Sequence, residues 1–164
     1  MKNPLIRKYF SKEKLPFVIS SIWGLLSLFL FFMPFLYSLD RSSQPVFVNG
    51  YDMLKFMEDS YTNIHYGVIF FLIGYVFSGF LLLFGILGTL GKKETFRSFF
   101  ALIFTVSLFQ TGFEIAAMIL LSGCQKMNLY LEFGSFFSVI FKGVLFLFLI
   151  GYFIYLRKSK ARAS

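Results

Sequence analysis

Four long apolar runs are the feature that most constrains this chain. They cover residues 17–39, 64–90, 96–121 and 133–156. Each is longer than the ~20 residues that a helix needs to cross a hydrocarbon core ~30 Å thick. Backbone groups in lipid must form their hydrogen bonds within the segment, so each run is predicted to be a transmembrane helix. The sequence therefore predicts an all-α integral membrane protein, a four-transmembrane-helix bundle in which residues 1–164 form a single domain.

The first run has a second interpretation, a cleaved signal peptide, because basic residues precede it. A signal peptide has an apolar region of about 7–15 residues that is followed by a small-residue cleavage site. Run 17–39 is longer, and it passes through Met33-Pro34-Phe35 instead of small residues. We therefore expect it to remain as a membrane anchor, with a kink where Pro34 interrupts the helix.

The basic residues are concentrated on one side of the predicted bundle. Most of the 16 lysines and arginines lie before the first run, between the second and third runs, or after the fourth. Positively charged short segments stay in the cytoplasm, so both termini are predicted to be cytoplasmic. The net charge of +8 is then explained by the membrane topology. It does not indicate a nucleic-acid-binding surface, since no domain is attached that could carry one. The predicted location is a cell membrane and, from the Phe-rich, Trp-poor composition, a bacterial inner membrane.

The loop 40–63 is the one sizeable segment between the runs, and it is predicted to lie outside. Residues 44–48 should be extended, and Asn49-Gly50 should form a turn. Beyond the turn, a short amphipathic helix is predicted over residues 52–61, with Asp52 as its N-cap. Its apolar face would consist of four side chains at helical spacing: Met53, Phe56, Met57 and Tyr61. This helix would either cover the ends of the membrane helices or recognise a ligand or partner.

Two charged residues, Glu114 and Lys142, fall inside predicted membrane helices, where charges are rare and usually face other protein groups. Each ends a polar stripe at helical spacing. The third helix carries Ser107, Gln110, Thr111 and Glu114, and the fourth carries Ser135, Ser138 and Lys142. Because the two helices are consecutive and antiparallel, Glu114 and Lys142 are predicted to pair at roughly 10 and 13 Å below the outer boundary. The pair would fix the helices, or it would serve as a proton or substrate site.

Small residues recur at four-residue spacing in every predicted helix, a pattern that permits close helix approach. The pairs are Ser20/Gly24, Gly74/Ser78, Gly112/Ala116 and Gly134/Ser138. They are expected to serve packing within the chain, and homo-oligomerisation is the alternative.

The sequence contains no recognisable pattern of catalytic or metal-binding residues. Cys124 is the single cysteine and His65 the single histidine, and neither has the neighbours that a redox pair or a metal site requires. Claudins also have four spans and a larger first outer loop, but they carry paired cysteines in that loop, which are missing here. We therefore predict no catalytic residue, no metal and no cofactor, in a protein that is not an enzyme.

The leading function hypothesis follows from the small size, the small loops and the missing reactive groups. The chain is predicted to be a non-enzymatic accessory, assembly or regulatory subunit in the lipid bilayer. It would act through a membrane-protein partner or as a homo-oligomer, without nucleic acid. The alternative is a small transporter or channel that uses the intramembrane stripe around Glu114 and Lys142.

Overall fold

The structure, a computed structural model, describes residues 13–39, 45–54, 62–123 and 129–161, which are mostly helical. Its elements in chain order are α1 Leu15–Leu30, β1 Pro34–Leu39, β2 Pro45–Asn49, α2 Gly50–Met53, α3 Thr62–Leu90, a 3₁₀ turn Lys93–Thr95, α4 Phe96–Ser122, β3 Leu129–Leu131 and α5 Phe133–Ala161. Three helices among the described residues, α3, α4 and α5, are long and apolar enough to cross a membrane. They confirm the prediction of apolar helices at the second, third and fourth runs, and they indicate a membrane protein.

The first predicted membrane helix is shorter than the sequence suggests. α1 ends at Leu30, and the chain from Pro34 forms β1 instead of the outer part of a helix over 17–39. Pro34 has no amide hydrogen and its ring would collide with the carbonyl of Leu30, and the residue before a proline disfavours helical angles. The helix therefore ends where a kink was predicted. With 16 residues, α1 is about 24 Å long.

A small antiparallel sheet accompanies the helices, so the fold is mostly helical and not all-α. Its strand order is β2-β1-β3. Leu36 of β1 lies opposite Val48 of β2 and opposite Leu131 of β3. β2 corresponds to the extended segment predicted over 44–48, whereas the three residues of β3 are too few to show an alternating pattern. The sheet gives the backbone after Pro34 the hydrogen bonds that a continued helix would have supplied.

The described part of the loop also corrects the position of its helix. α2 begins at Gly50, and its N-cap is Asn49 instead of the predicted Asp52, because the Asn49 side chain accepts a hydrogen bond of 2.9 Å from the Asp52 amide. A side chain at position 50 would collide with the ring and carbonyl of Phe31, which explains the glycine there. Most of the helix predicted over 52–61 lies outside the described residues.

The predicted apolar face of that helix is divided between the core and the residues that are not described. Met53 is only 1% exposed and packs with Phe35, Leu36 and Val48. It is therefore a core residue and not part of an exposed interaction surface. The other three members, Phe56, Met57 and Tyr61, lie outside the described residues. At Met53, the loop covers the helix ends.

The described residues form two buried apolar clusters, which are separated along the helices. The sheet-end cluster joins the sheet to α2, α3 and α4: Phe35, Leu36, Val48, Met53, Ile64, Val68, Phe71, Tyr75, Ala117 and Leu121. The turn-end cluster lies towards the α3–α4 turn: Phe17, Leu81, Ile103, Val106, Leu145 and Leu149. A layer of buried polar residues lies between these clusters, at Ser78 on α3 and at Ser107, Gln110 and Glu114 on α4. Ser138 and Lys142 of α5 bond to this layer through Glu114.

Small residues bring α1 and α3 into backbone contact. A Cβ atom on Gly24 would lie 2.6 Å from the amide nitrogen of Leu82, and one on Gly85 would lie 2.7 Å from the amide nitrogen of Ser21. Such distances leave no room for any side chain at either position. Gly112, by contrast, has nothing within 4 Å of its Cβ position. The predicted Gly112/Ala116 pair therefore makes no close contact with the described part of the chain at Gly112.

Candidate functional site: a buried charged pair

The two charged residues inside the predicted spans are brought together by α4 and α5. Glu114 lies on α4 and Lys142 on α5, and the Lys142 Nζ atom forms an ion pair with Glu114 Oε1. Glu114 is 2% exposed and Lys142 is 1% exposed. The ammonium group is therefore held within the protein and does not extend along its own helix to the membrane boundary, as a lysine near a helix end can do.

Groups from α3 and α5 complete the surroundings of the pair. Ser138 donates a hydrogen bond of 3.3 Å to Glu114 Oε2, and its Oγ lies 3.5 Å from the Tyr75 hydroxyl. The Lys142 Nζ atom lies 3.9 Å from the centroid of the Tyr75 ring, a distance at which a cation is attracted by the π face. A Cβ on Gly74 would lie only 3.2 Å from Glu114 Cγ, so the glycine lets α3 approach the carboxylate closely.

The other members of the α4 stripe form no hydrogen bond to the described residues of α5. Gln110 donates a hydrogen bond to the Ser78 hydroxyl on α3, and Thr111 donates to the Ser107 carbonyl of its own helix at 2.9 Å. The Ser107 hydroxyl is buried and has no hydrogen-bond partner within the described ranges. Among the described residues, the hydrogen bonds and the ion pair that join the two predicted stripes all involve Glu114, because Gln110 of the α4 stripe bonds to α3.

The α5 stripe is divided in the same way. Ser138 and Lys142 face Glu114, whereas Ser135, one turn nearer the sheet, donates its hydroxyl hydrogen bond to the Phe35 carbonyl of β1. Ser135 therefore attaches the beginning of α5 to the sheet and does not extend the polar contact between helices.

Two members of the site, Tyr75 and Ser78, were missed by the sequence analysis. A signal existed, because Tyr75 lies near the middle of its apolar run, whereas a tyrosine in a membrane helix normally lies at the boundary. Ser78 follows three residues later and so shares its helix face. The Tyr75 hydroxyl needs a hydrogen-bond partner at that depth, and Ser138 of α5 supplies it.

Little free space adjoins Glu114 on the side of the described sheet. The cavity next to Glu114 has a volume of about 10 Å³, and it is lined mainly by apolar side chains such as Phe35, Phe71 and Leu121. A cavity needs roughly 10–15 Å³ to hold a single water molecule. In the described ranges no cluster of three or more His, Cys, Asp or Glu residues could hold a metal ion. As it stands, the arrangement is a closed ion pair that connects three helices.

Comparison with known proteins gave no relative. No family model matches the chain, and no curated protein or solved structure matches it.

Proposed function

We propose that this chain is a non-enzymatic accessory, assembly or regulatory subunit. It is a plasma-membrane protein of a bacterial inner membrane, with four spans and both termini in the cytoplasm. α3, α4 and α5 supply three spans. α1 supplies the fourth, since it packs along α3 although it is only about 24 Å long. In this orientation the sheet and α2 lie outside, and the α3–α4 turn, with Lys92 and Arg97 near it, lies inside.

The observation that carries the proposal is the closure of the Glu114–Lys142 pair. A charged group that binds a transported ion or a substrate usually faces a water-filled cavity. Here the two residues are 2% and 1% exposed, and the adjoining cavity is about the size of one water molecule. Such a pair holds α3, α4 and α5 in a fixed arrangement, which suits a rigid protein that presents a surface to a partner.

The sheet end offers that surface. β2 is an edge strand of the sheet formed by the described residues, and edge strands present unpaired backbone groups to which another chain can add. Val46 and Phe47 on this strand are 51% and 57% exposed, and Tyr51 on the adjoining α2 is 63% exposed. Apolar side chains beside an open strand edge are typical of a protein–protein contact. The partner is a second membrane protein or a second copy of this chain.

Photocrosslinking in native membranes tests the proposal. A photoreactive phenylalanine analogue at Phe47 should give a discrete adduct, because the side chain lies beside the open strand edge. The same analogue at Ile140, which is 64% exposed on α5 and should face lipid, should give none. Migration and mass spectrometry of the adduct identify a second copy or another protein. If both positions yield only the uncrosslinked monomer, the accessory function is contradicted.

One observation favours the alternative, a transporter or channel. The Ser107 hydroxyl is buried on the stripe of Glu114 and lacks a hydrogen-bond partner among the described residues. Burying a hydroxyl without a partner is costly, and a passing ion or water molecule would satisfy it. Transport would require the polar layer to open to water on both sides of the membrane.

Labelling with a membrane-impermeant thiol reagent separates the two functions and tests the topology. In a Cys124→Ser background, Ser107→Cys and Ser138→Cys should stay unlabelled, because both positions are at most 1% exposed. Ser122→Cys, at the exposed sheet end of α4, should react in intact cells. Glu94→Cys, in the exposed α3–α4 turn, should react only after permeabilisation. Labelling of Ser107→Cys or Ser138→Cys in intact cells would favour transport, and labelling of Glu94→Cys there would reverse the topology.

A further inference from the structure

A cleft of about 460 Å³ lies at the turn end of the molecule, between the beginnings of α1 and α4 and the end of α5. Its walls are largely aromatic and include Phe17, Phe100 and Phe153, and its rim carries Arg97, Arg157 and Glu13. The volume falls within the about 300–1,000 Å³ that is typical of small-molecule sites. This cleft, called the turn-end cleft below, is separate from the Glu114–Lys142 pair.

Packed rings fix the shape of the turn-end cleft. Phe17 stands 5.4 Å from Phe96, centroid to centroid, and Phe100 stands 5.7 Å from Tyr152. Nearer the middle of the helices, Trp23 stacks on Phe141 at 4.6 Å and donates its indole hydrogen bond to the Phe141 carbonyl. α1 and α5 are therefore joined at mid-height, and the cleft opens between them on the turn-end side of that contact.

The rim of the cleft is positively charged. Arg97 on α4 and Arg157 on α5 are exposed and line the same cleft. No described residue forms a salt bridge with either arginine. Glu13 also lines the cleft, so the described charged residues of the rim are two cations and one anion, and their net charge is positive. Guanidinium groups bind phosphate through paired, charge-assisted hydrogen bonds, so two of them above an apolar cleft match a molecule with an anionic head and an apolar tail.

We propose that the turn-end cleft binds one anionic phospholipid, with an acyl chain between Phe17 and Phe153 and the phosphate between Arg97 and Arg157. The cleft lies at the ends of membrane helices, where a lipid headgroup meets the bilayer boundary. The proposed topology places it in the cytoplasmic leaflet, which is rich in anionic lipids. Lipid binding itself depends only on the cleft and would survive a failure of the partner hypothesis, because it involves none of the sheet-end residues.

Native mass spectrometry of the full-length protein, released from detergent micelles, tests the proposal with three probes. Dioleoyl phosphatidylglycerol should remain bound, whereas dioleoylglycerol, which lacks the phosphate, and glycerol 1-phosphate, which lacks the chains, should not. Arg97→Gln/Arg157→Gln should weaken phosphatidylglycerol binding at least about tenfold, since a hydrogen bond to a charged group contributes roughly that factor. Leu156→Trp, which replaces an aliphatic side chain of the cleft wall by a bulky ring, should weaken phosphatidylglycerol binding without changing the charge.

The matched control is Lys92→Gln/Lys158→Gln, which removes two exposed charges from the same end but from outside the cleft, and it should bind as the wild type does. Each variant is compared only if its elution profile and melting temperature show a folded protein. The proposal is overturned if dioleoylglycerol binds as tightly as phosphatidylglycerol, if glycerol 1-phosphate alone is retained, or if the arginine and lysine variants lose affinity equally. Binding that appears only after deletion of residues 2–12 would assign the cleft to that segment and would also overturn it.

Discussion

Replacing Glu114 by Gln or Lys142 by Met is expected to lower the free energy of unfolding by roughly 3–5 kcal/mol, and the double substitution is expected to restore most of that loss. Each single substitution leaves an uncompensated charge at a site that is only 1–2% exposed. In Glu114→Gln the ammonium group would lose its counter-charge and, among the described residues, would keep the face of the Tyr75 ring and a neutral amide oxygen. In Lys142→Met the carboxylate would lose its counter-charge and, among the described residues, would keep the Ser138 hydroxyl.

Equilibrium unfolding in mixed micelles, with all four proteins measured together, gives the coupling between the two residues. Thr111→Val is the matched control, because Thr111 lies on the same helix but bonds only to a carbonyl of that helix. It should change the free energy of unfolding by less than about 1 kcal/mol. If the effects of the two single substitutions simply add, the two residues are not coupled, and the role of the pair in holding the helices is contradicted.

Gly24→Ala and Gly85→Ala are each expected to destabilise the protein by about 3 kcal/mol, the upper end of the range for overpacking a well-packed interior. The added Cβ would meet the backbone of the neighbouring helix, which cannot move aside as the end of a flexible side chain can. At Gly24 the nearest atom is 2.6 Å away, and at Gly85 it is the Ser21 hydroxyl at 2.5 Å, with the Ser21 amide nitrogen at 2.7 Å. Relief requires α1 to separate from α3.

The matched control for these glycines is Gly112→Ala, in the middle of α4, where the new Cβ would meet nothing within 4 Å. Alanine is the better helix former by up to about 1 kcal/mol, so this variant should be unchanged or slightly more stable. Melting temperatures in one detergent are sufficient to rank the three variants. Equal losses at Gly24, Gly85 and Gly112 would show that a general effect of alanine in the helices, and not close α1–α3 contact, explains the result.

The surroundings of the Glu114–Lys142 pair also bear on the proposed function. The sequence placed a charge on each of two neighbouring helices, and two functions were open: a fixed connection or a site for a proton or substrate. The structure adds Tyr75 and Gly74 from α3, which cover the pair on the side that neither α4 nor α5 covers. A third helix closing on the pair is the physical reason for preferring the accessory function to transport.

Local properties of the sequence determined the membrane character and the positions of α3, α4 and α5. An apolar run longer than ~20 residues that no proline interrupts, as in these three helices, has one stable backbone arrangement in lipid, whatever packs against it. Helical spacing likewise placed Glu114, Ser138 and Lys142 on their faces, because three and four residues complete a turn in any α-helix. The extended segment that became β2 was also visible, from its β-branched and aromatic residues.

Only the tertiary structure decided the features that depend on residues far apart in the chain. Pro34 ends α1, but the chain beyond it forms a strand because it pairs with both β2 and β3, and a three-residue strand such as β3 has no pattern of its own. Met53 is buried because the sheet and α3 cover it, although its spacing also fitted an exposed face. Gln110 forms its hydrogen bond with Ser78 of α3 and not with α5. The turn-end cleft lies where α1, α4 and α5 leave space between them. Hydrophobicity and periodicity determine which secondary structure a segment can form by itself. Which neighbouring segment it packs against or hydrogen-bonds to depends on residues elsewhere in the chain.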